Sequence, residues 1–227
     1  MEKHMMITNS IFVRVLTLVA TLPLLVVSVQ ATAATFSVTA KDCATSPGGY
    51  EWAIEQANNS PGHDIISIDV PVFTVSSCTH IGNESEPPPF TESVDIVGNG
   101  NWVVGNYAWI DTMGNLNPLN QCPPGGARWL NKGGSLISVG EPNADASGIE
   151  VAINNLNMDR LITVGSVRRN AKLTIEDSRL ENIWSISECN APIISAKPGA
   201  DLTLRRTSIV NASVPASGVY SIFWPVT

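Results

Sequence analysis

Positive charge, aromatics, histidine and cysteine are all scarce in this chain, and each shortage excludes something. Thirteen lysines and arginines face 20 aspartates and glutamates, for a formal net charge of −7. The basic residues gather no further than the pairs Arg168-Arg169 and Arg205-Arg206. An acidic chain without a larger basic patch is poorly suited to nucleic acid or an anionic membrane surface. No C-x-x-C pair occurs and the three histidines are scattered, so zinc-site spacing is missing and no metal or other cofactor is expected. Long apolar runs are scarce as well. Residues 15–29 form the most pronounced one, Pro23 interrupts it, and a spanning helix wants ~20 apolar residues.

That short run has a different meaning. Lys3 and Arg14 precede it and the small residues Ala31-Thr32-Ala33 follow it, which is the anatomy of a secretory signal peptide over residues 1–33. Cleavage after Ala33 is expected, leaving residues 34–227 as one monomeric domain without a membrane span. The cut removes Lys3, Arg14 and Glu2, leaving 11 basic against 19 acidic residues, a net −8. All four cysteines, Cys43, Cys78, Cys122 and Cys189, fall in the exported part, where an even count favours two disulfides. Three connectivities are open. The expected pairs are Cys43–Cys78, flanking the first β-rich period, and Cys122–Cys189, tying a long excursion to the remainder.

The exported part opens with "SPGGYEWAIEQANNSPGHDIISIDV". Tyr50, Ala53, Ile54 and Ala57 recur at i, i+3, i+4 and i+7, one apolar stripe of a short helix. Asn58-Asn59-Ser60-Pro61-Gly62 ends it. So short a helix is marginal alone in water, so its stripe must rest on something. Two readings stand, an ordinary surface helix or a lid over the open end of a β stack.

Beyond residue 64 the texture is β. "EVAINNLNM", "KLTIEDSRL" and "DLTLRRTSI" place apolar residues in the same slots, at spacings of 22 and 29 residues. A second series, "LISVG", "LITVG" and "IISAK", interleaves with it, beginning at Leu136, Leu161 and Ile193, with Val219 as a fourth start. Periods of ~20–50 residues signal solenoids or propellers, and these are too short for four-stranded blades. A parallel β-helix fits best. Strands stacked ~4.8 Å apart need an apolar or small residue at every inward slot. Leu173 and Ile175 point inward, Thr174 and Glu176 outward. After the bend, Leu156, Ser178 and Thr207 share a tight inward site.

These stretches resemble bacterial exported right-handed parallel β-helix proteins, the polymorphic outer-membrane-protein-like and Cys-Ser-Leu-Arg-Glu-Ala-motif family. Gly49, Ala53, Ile54, Ala57, Asn58, Pro61, Gly62, Asp64 and Ile66 match its opening pattern, whereas Tyr50-Glu51 replaces the usual Leu-Arg. "SVDIVGNG" and "LTIEDSRLEN" are similar to its coils, over about residues 36–211. The resemblance implies an all-β solenoid with a short N-terminal cap helix (residues 34–64), located in the periplasm, at the cell surface or outside the cell. It implies little about activity.

Two sets of side chains are candidates for function. Stacking aligns Glu176 with Arg205 and Asp177 with Arg206, either a weak catalytic patch or plain cross-strand ion pairs. Residues 98–134 form a Gly-, Asn- and Pro-rich excursion carrying Trp102, Tyr107, Trp109 and Trp129. Long irregular segments often carry function, and flat aromatics suit sugar rings or a protein partner. The leading expectation is therefore an adhesin-like protein that binds an extracellular glycan or protein without catalysis. A carbohydrate-active lyase or hydrolase, and a remnant of a longer surface passenger, stay open beside it.

Overall fold

The structure, a computed structural model, describes residues 32–75, 78, 87–105, 108–110, 116–117, 128–131, 135–161, 163–183, 193–211 and 223–225. All of them belong to one compact unit, Ala31–Thr227. It opens with β1 (Thr35–Val38), α1 (Tyr50–Asn59), β2 (Asp64–Ile68), β3 (Val72–Thr74), β4 (Val94–Val97) and β5 (Trp102–Val104). Three short strands follow, β6 (Ala108–Ile110), β7 (Leu116–Asn117) and β8 (Arg128–Asn131). Then come β9 (Ser135–Val139), β10 (Glu150–Asn154), β11 (Asn157–Asp159), β12 (Thr163–Val167), β13 (Lys172–Glu176) and β14 (Arg179–Glu181). The last are β15 (Ile194–Ala196), β16 (Asp201–Arg205), β17 (Ser208–Val210) and β18 (Phe223–Pro225).

The chain is mostly β, in three parallel sheets and one small antiparallel sheet. Their orders are β1-β2-β4-β10-β13-β16, β3-β5-β11-β14-β17, β9-β12-β15-β18 and β7-β6-β8. None closes into a barrel among the described residues. In its later passes the chain visits the three parallel sheets in one order, β10-β11-β12, β13-β14-β15 and β16-β17-β18. Each pass thus carries three strands.

The repeat in the sequence is the register of the first sheet. Val151, Leu173 and Leu202 are opposite one another, as are Ile153, Ile175 and Leu204. Val151, Ile153, Leu173 and Ile175 are buried, and Ala152, Thr174 and Glu176 are not, the alternation of a sheet with one covered face. Between first and second sheets the chain turns on one left-handed residue, Asn155, Asp177 or Arg206, at φ 51°, 51° and 47°. The next residue falls inward. Leu156 and Ser178 are buried, and Ser178 Oγ accepts from Leu156 N (3.2 Å) while donating to Glu176 O (2.7 Å). Thr207 Oγ1 bonds Ile175 O at 3.0 Å, so the third bend is tied back to the second pass.

The second series is registered differently from its look. "LISVG" and "LITVG" suggest Leu136 opposite Leu161, but Ile137 pairs with Gly165, and Gly165 with Ile194. Leu161 precedes β12 and follows Arg160, a second left-handed bend whose counterpart is Asn182. Leu161 and the matching Ile183 are both fully buried just after these bends. Position relative to the bend, not likeness of the apolar run, sets the register. Gly165 is needed there, because a Cβ would lie 2.0 Å from Ile137 O.

Helix α1 forms over the expected span. Tyr50, Ala53, Ile54 and Ala57 are fully buried in the common core. Tyr50 Oη donates to Leu136 O at 3.2 Å, its ring centroid lies 5.0 Å from that of Phe73, and Trp52 meets Phe36 edge-on. Burial pushes the Tyr50 phenol well above its ordinary pKa, so it stays a proton donor. Cys43 and Cys78 are disulfide-bonded, with Cα atoms 4.8 Å apart. Cys122 and Cys189 lie outside the described residues. Among those residues no helix is long and apolar enough to cross a membrane.

Candidate functional site

The ion pairs expected from stacking are present at the edge of the first sheet. Glu176 pairs with Arg205 in register, their closest polar atoms 3.7 Å apart. Arg206 grips Asp177 with both arms of its fork, Nε to Oδ1 at 2.6 Å and Nη2 to Oδ2 at 2.8 Å, and also reaches Glu176 Oε1. The Arg206 hydrogen bond holds Asp177 below the ordinary carboxylate range, and in return Asp177, then Glu176, raise the guanidinium further. Each acid is occupied by an arginine. Such a closed set neutralises itself and leaves no free base.

The aromatic excursion is seen in part. Trp102 is half-buried on β5, between Val72 and Asn157 in register. Tyr107 lies outside the described residues. Trp109 and Trp129 stand opposite one another on β6 and β8, in the antiparallel sheet inserted between β5 and β9.

A third locus was not singled out from sequence. Three turns stack where the chain enters the first sheet: residues 146–149, 168–171 and 197–200. Each is closed by a backbone bond from its fourth residue to its first, Ile149 to Ala146, Ala171 to Arg168 and Ala200 to Lys197. Gly148, Asn170 and Gly199 hold the left-handed third positions, at φ 85°, 60° and 77°. Glycine and asparagine tolerate this conformation, and Pro198 suits the position before it. Ahead of the first turn, residues 141–145 leave the ladder and arch beside the other two. Between arch and turns lies an open hollow of about 610 Å³, lined by Asn143, Ala144, Asp145, Arg168, Arg169, Asn170, Lys197 and Pro198.

The charge of this hollow is unlike that of the chain. Nine lysines and arginines have described side chains, and five of them (Arg160, Lys172, Arg179, Arg205 and Arg206) sit in ion pairs. Of the four others, Lys41, Arg168, Arg169 and Lys197, three line the hollow. Arg168 Nε is buried and has no hydrogen-bond acceptor among the described residues. Asp145 offsets part of this charge but forms no ion pair with any of the three. Its Oδ1 accepts from Ser147 Oγ (2.8 Å), Ser147 N (3.1 Å) and Asn170 Nδ2 (3.0 Å). These bonds, the Ser147 hydroxyl first, hold its carboxyl below the usual range, with Arg169 adding to the effect. The hollow thus carries three cations, one pinned anion and the amide residues Asn143 and Asn170.

Sequence alone hid this site because its cations come from two passes 29 residues apart. The visible signal was the turn rhyme itself, "RRNAKL" and "KPGADL", each placing a basic residue first. The chain matches no family model, no curated protein and no solved structure.

Proposed function

We propose that the three parallel sheets are the walls of a right-handed β-helix with α1 as its N-terminal lid. In this reading the protein is exported, and it binds an acidic extracellular glycan without catalysis. The observation that carries the ligand is the hollow, whose Arg168, Arg169 and Lys197 outnumber its one carboxylate and form no ion pair among the described residues. A buried guanidinium N–H without an acceptor costs free energy until a ligand supplies one, and a carboxylate matches the planar fork of arginine. Asn143 and Asn170 add amide groups of the kind that pair with sugar hydroxyls. Export is supported by the residue 1–33 pattern and by the Cys43–Cys78 bond, which suits an oxidising compartment. The lid is supported by the burial of the α1 stripe beside the end of the first sheet.

The test is calorimetric titration of the exported protein with oligouronates and with neutral oligosaccharides of equal length. Uronate binding should weaken at least ~10-fold in Arg168→Ala and in Lys197→Ala, with neutral sugars bound poorly by all forms. Equal affinity for neutral sugars, or variants without effect, would move the site to the aromatic excursion around Trp109 and Trp129. Shortened oligouronates after incubation, lost on Glu176→Gln, would establish the lyase or hydrolase reading instead.

A further inference from the structure

Asp64 is a buried acid with few partners among the described residues. It starts β2, is 0% exposed, and its Oδ2 has no hydrogen-bond partner among the described residues. Its other oxygen, Oδ1, accepts one bond, from the backbone nitrogen of Ala34 at 2.7 Å. A buried carboxylate needs two or three donors, or a countercharge, to offset its lost hydration. One amide N–H is a meagre supply. Yet Ala34 is held firmly, since its carbonyl accepts from Ile65 N at 2.8 Å. Ala33 and Thr32, just ahead of it, are exposed.

The nitrogen that meets Asp64 belongs to the residue after the Ala31-Thr32-Ala33 cleavage pattern. We infer that Asp64 is the receptor for the α-ammonium group that processing creates at Ala34, so that cleavage completes the fold. The inference rests on the export reading above. Hydrolysis of the Ala33–Ala34 bond by a signal peptidase consumes one water. The hydroxyl goes to the Ala33 carbonyl, and the freed Ala34 amine takes up a proton to become an ammonium. One amide donor becomes three N–H donors with a full positive charge, beside a buried carboxylate that has an idle oxygen. A charge-assisted hydrogen bond of this kind is shorter and stronger than a neutral one. The geometry explains why an acid is tolerated at a fully buried strand start.

The experiment expresses the full 227-residue chain in a secreting bacterial host and recovers the processed protein. A second chain carries one serine inserted between Ala33 and Ala34, so that the new amine is displaced and Ala34 again offers an amide. Each is made with Asp64 and with Asp64→Asn, and thermal midpoints of all four are compared. The displaced amine should lower the midpoint by roughly 5 °C when Asp64 is present, by the usual scaling for a domain of this size. It should change nothing in the Asp64→Asn pair. Equal midpoints with and without the insertion in the Asp64 background would overturn the inference, as would an equal drop in both backgrounds. Mass spectrometry of the same samples separates failure of the processing reading, a start other than Ala34, from failure of the Asp64 pairing.

Discussion

Asn155, Asp177 and Arg206 hold the same left-handed bend with three different side chains. Asparagine and aspartate visit this region at modest cost, and a residue with a plain Cβ pays about 1 kcal/mol. Asn155→Ala should therefore cost about 1 kcal/mol in chemical denaturation. Asp145 and Asp177 set an acid limit of known sign. A carboxylate whose folded pKa is depressed contributes stability above its unfolded pKa of ~3.9 and loses it as pH falls through the folded value. Stability should hold above pH ~4 and decline below it, and Asp145→Asn should make that decline shallower in thermal melts from pH 7 to pH 2. Tyr50→Phe deletes one buried hydrogen bond, to Leu136 O, with an expected cost of about 1 kcal/mol.

Among the elements, α1 is the most exposed to challenge. Its helix has no side-chain N-cap, because Gly49 stands there, and its last turn carries no basic residue. What holds it is packing, through Tyr50, Ala53, Ile54 and Ala57. Ile54→Ala should cost about 2–4 kcal/mol as a cavity opens between α1 and the sheets. Ile54→Asp should do worse and yield aggregating protein, visible by light scattering. A monodisperse Ile54→Asp protein with unchanged melting would show that the helix covers nothing. The turns at 168–171 and 197–200 are elements of the opposite kind, held by backbone geometry. A Cβ on Gly199 would lie 2.1 Å from Asn170 Oδ1, so Gly199→Ala should disturb the hollow while leaving the sheets folded.

At the scale of the whole molecule, the Cys43–Cys78 bond closes a separation of 35 residues and ties the segment before α1 to the chain after β3. Chain-entropy scaling for such a loop gives about 3–4 kcal/mol. Reduction should lower the midpoint of denaturation without abolishing the parallel sheets, measured by circular dichroism with and without a reducing agent. Stacked sheets also make stability local. Leu173 and Ile175 on β13 are fully buried, whereas Leu202 and Leu204 on β16 are only partly so. Amide exchange should be slowest on β10 and β13 and faster on β16 and β17.

The β class, the stacked apolar slots, the helix stripe and the Glu176–Arg205 alignment were legible in the sequence, because inward slots of stacked strands admit only apolar or small side chains. The register of β12 was not. "LITVG" imitates "LISVG" in composition, but Leu161 belongs to the bend after β11, and only the backbone geometry of Arg160 tells the two positions apart. The hollow was hidden for a similar reason. Arg168, Arg169 and Lys197 read as ordinary surface charges along the chain, and nothing local says which of them find partners. That depends on a through-space neighbour, here an Asp145 already bound to Ser147 and Asn170. The same holds for Asp64, which in sequence is only one match to a family's opening pattern and whose isolation follows from burial. Sequence determined the repeating slots, since periodicity is a local property of the chain. Tertiary structure decided which polar groups were left without partners, since desolvation and countercharge are set by residues distant in sequence.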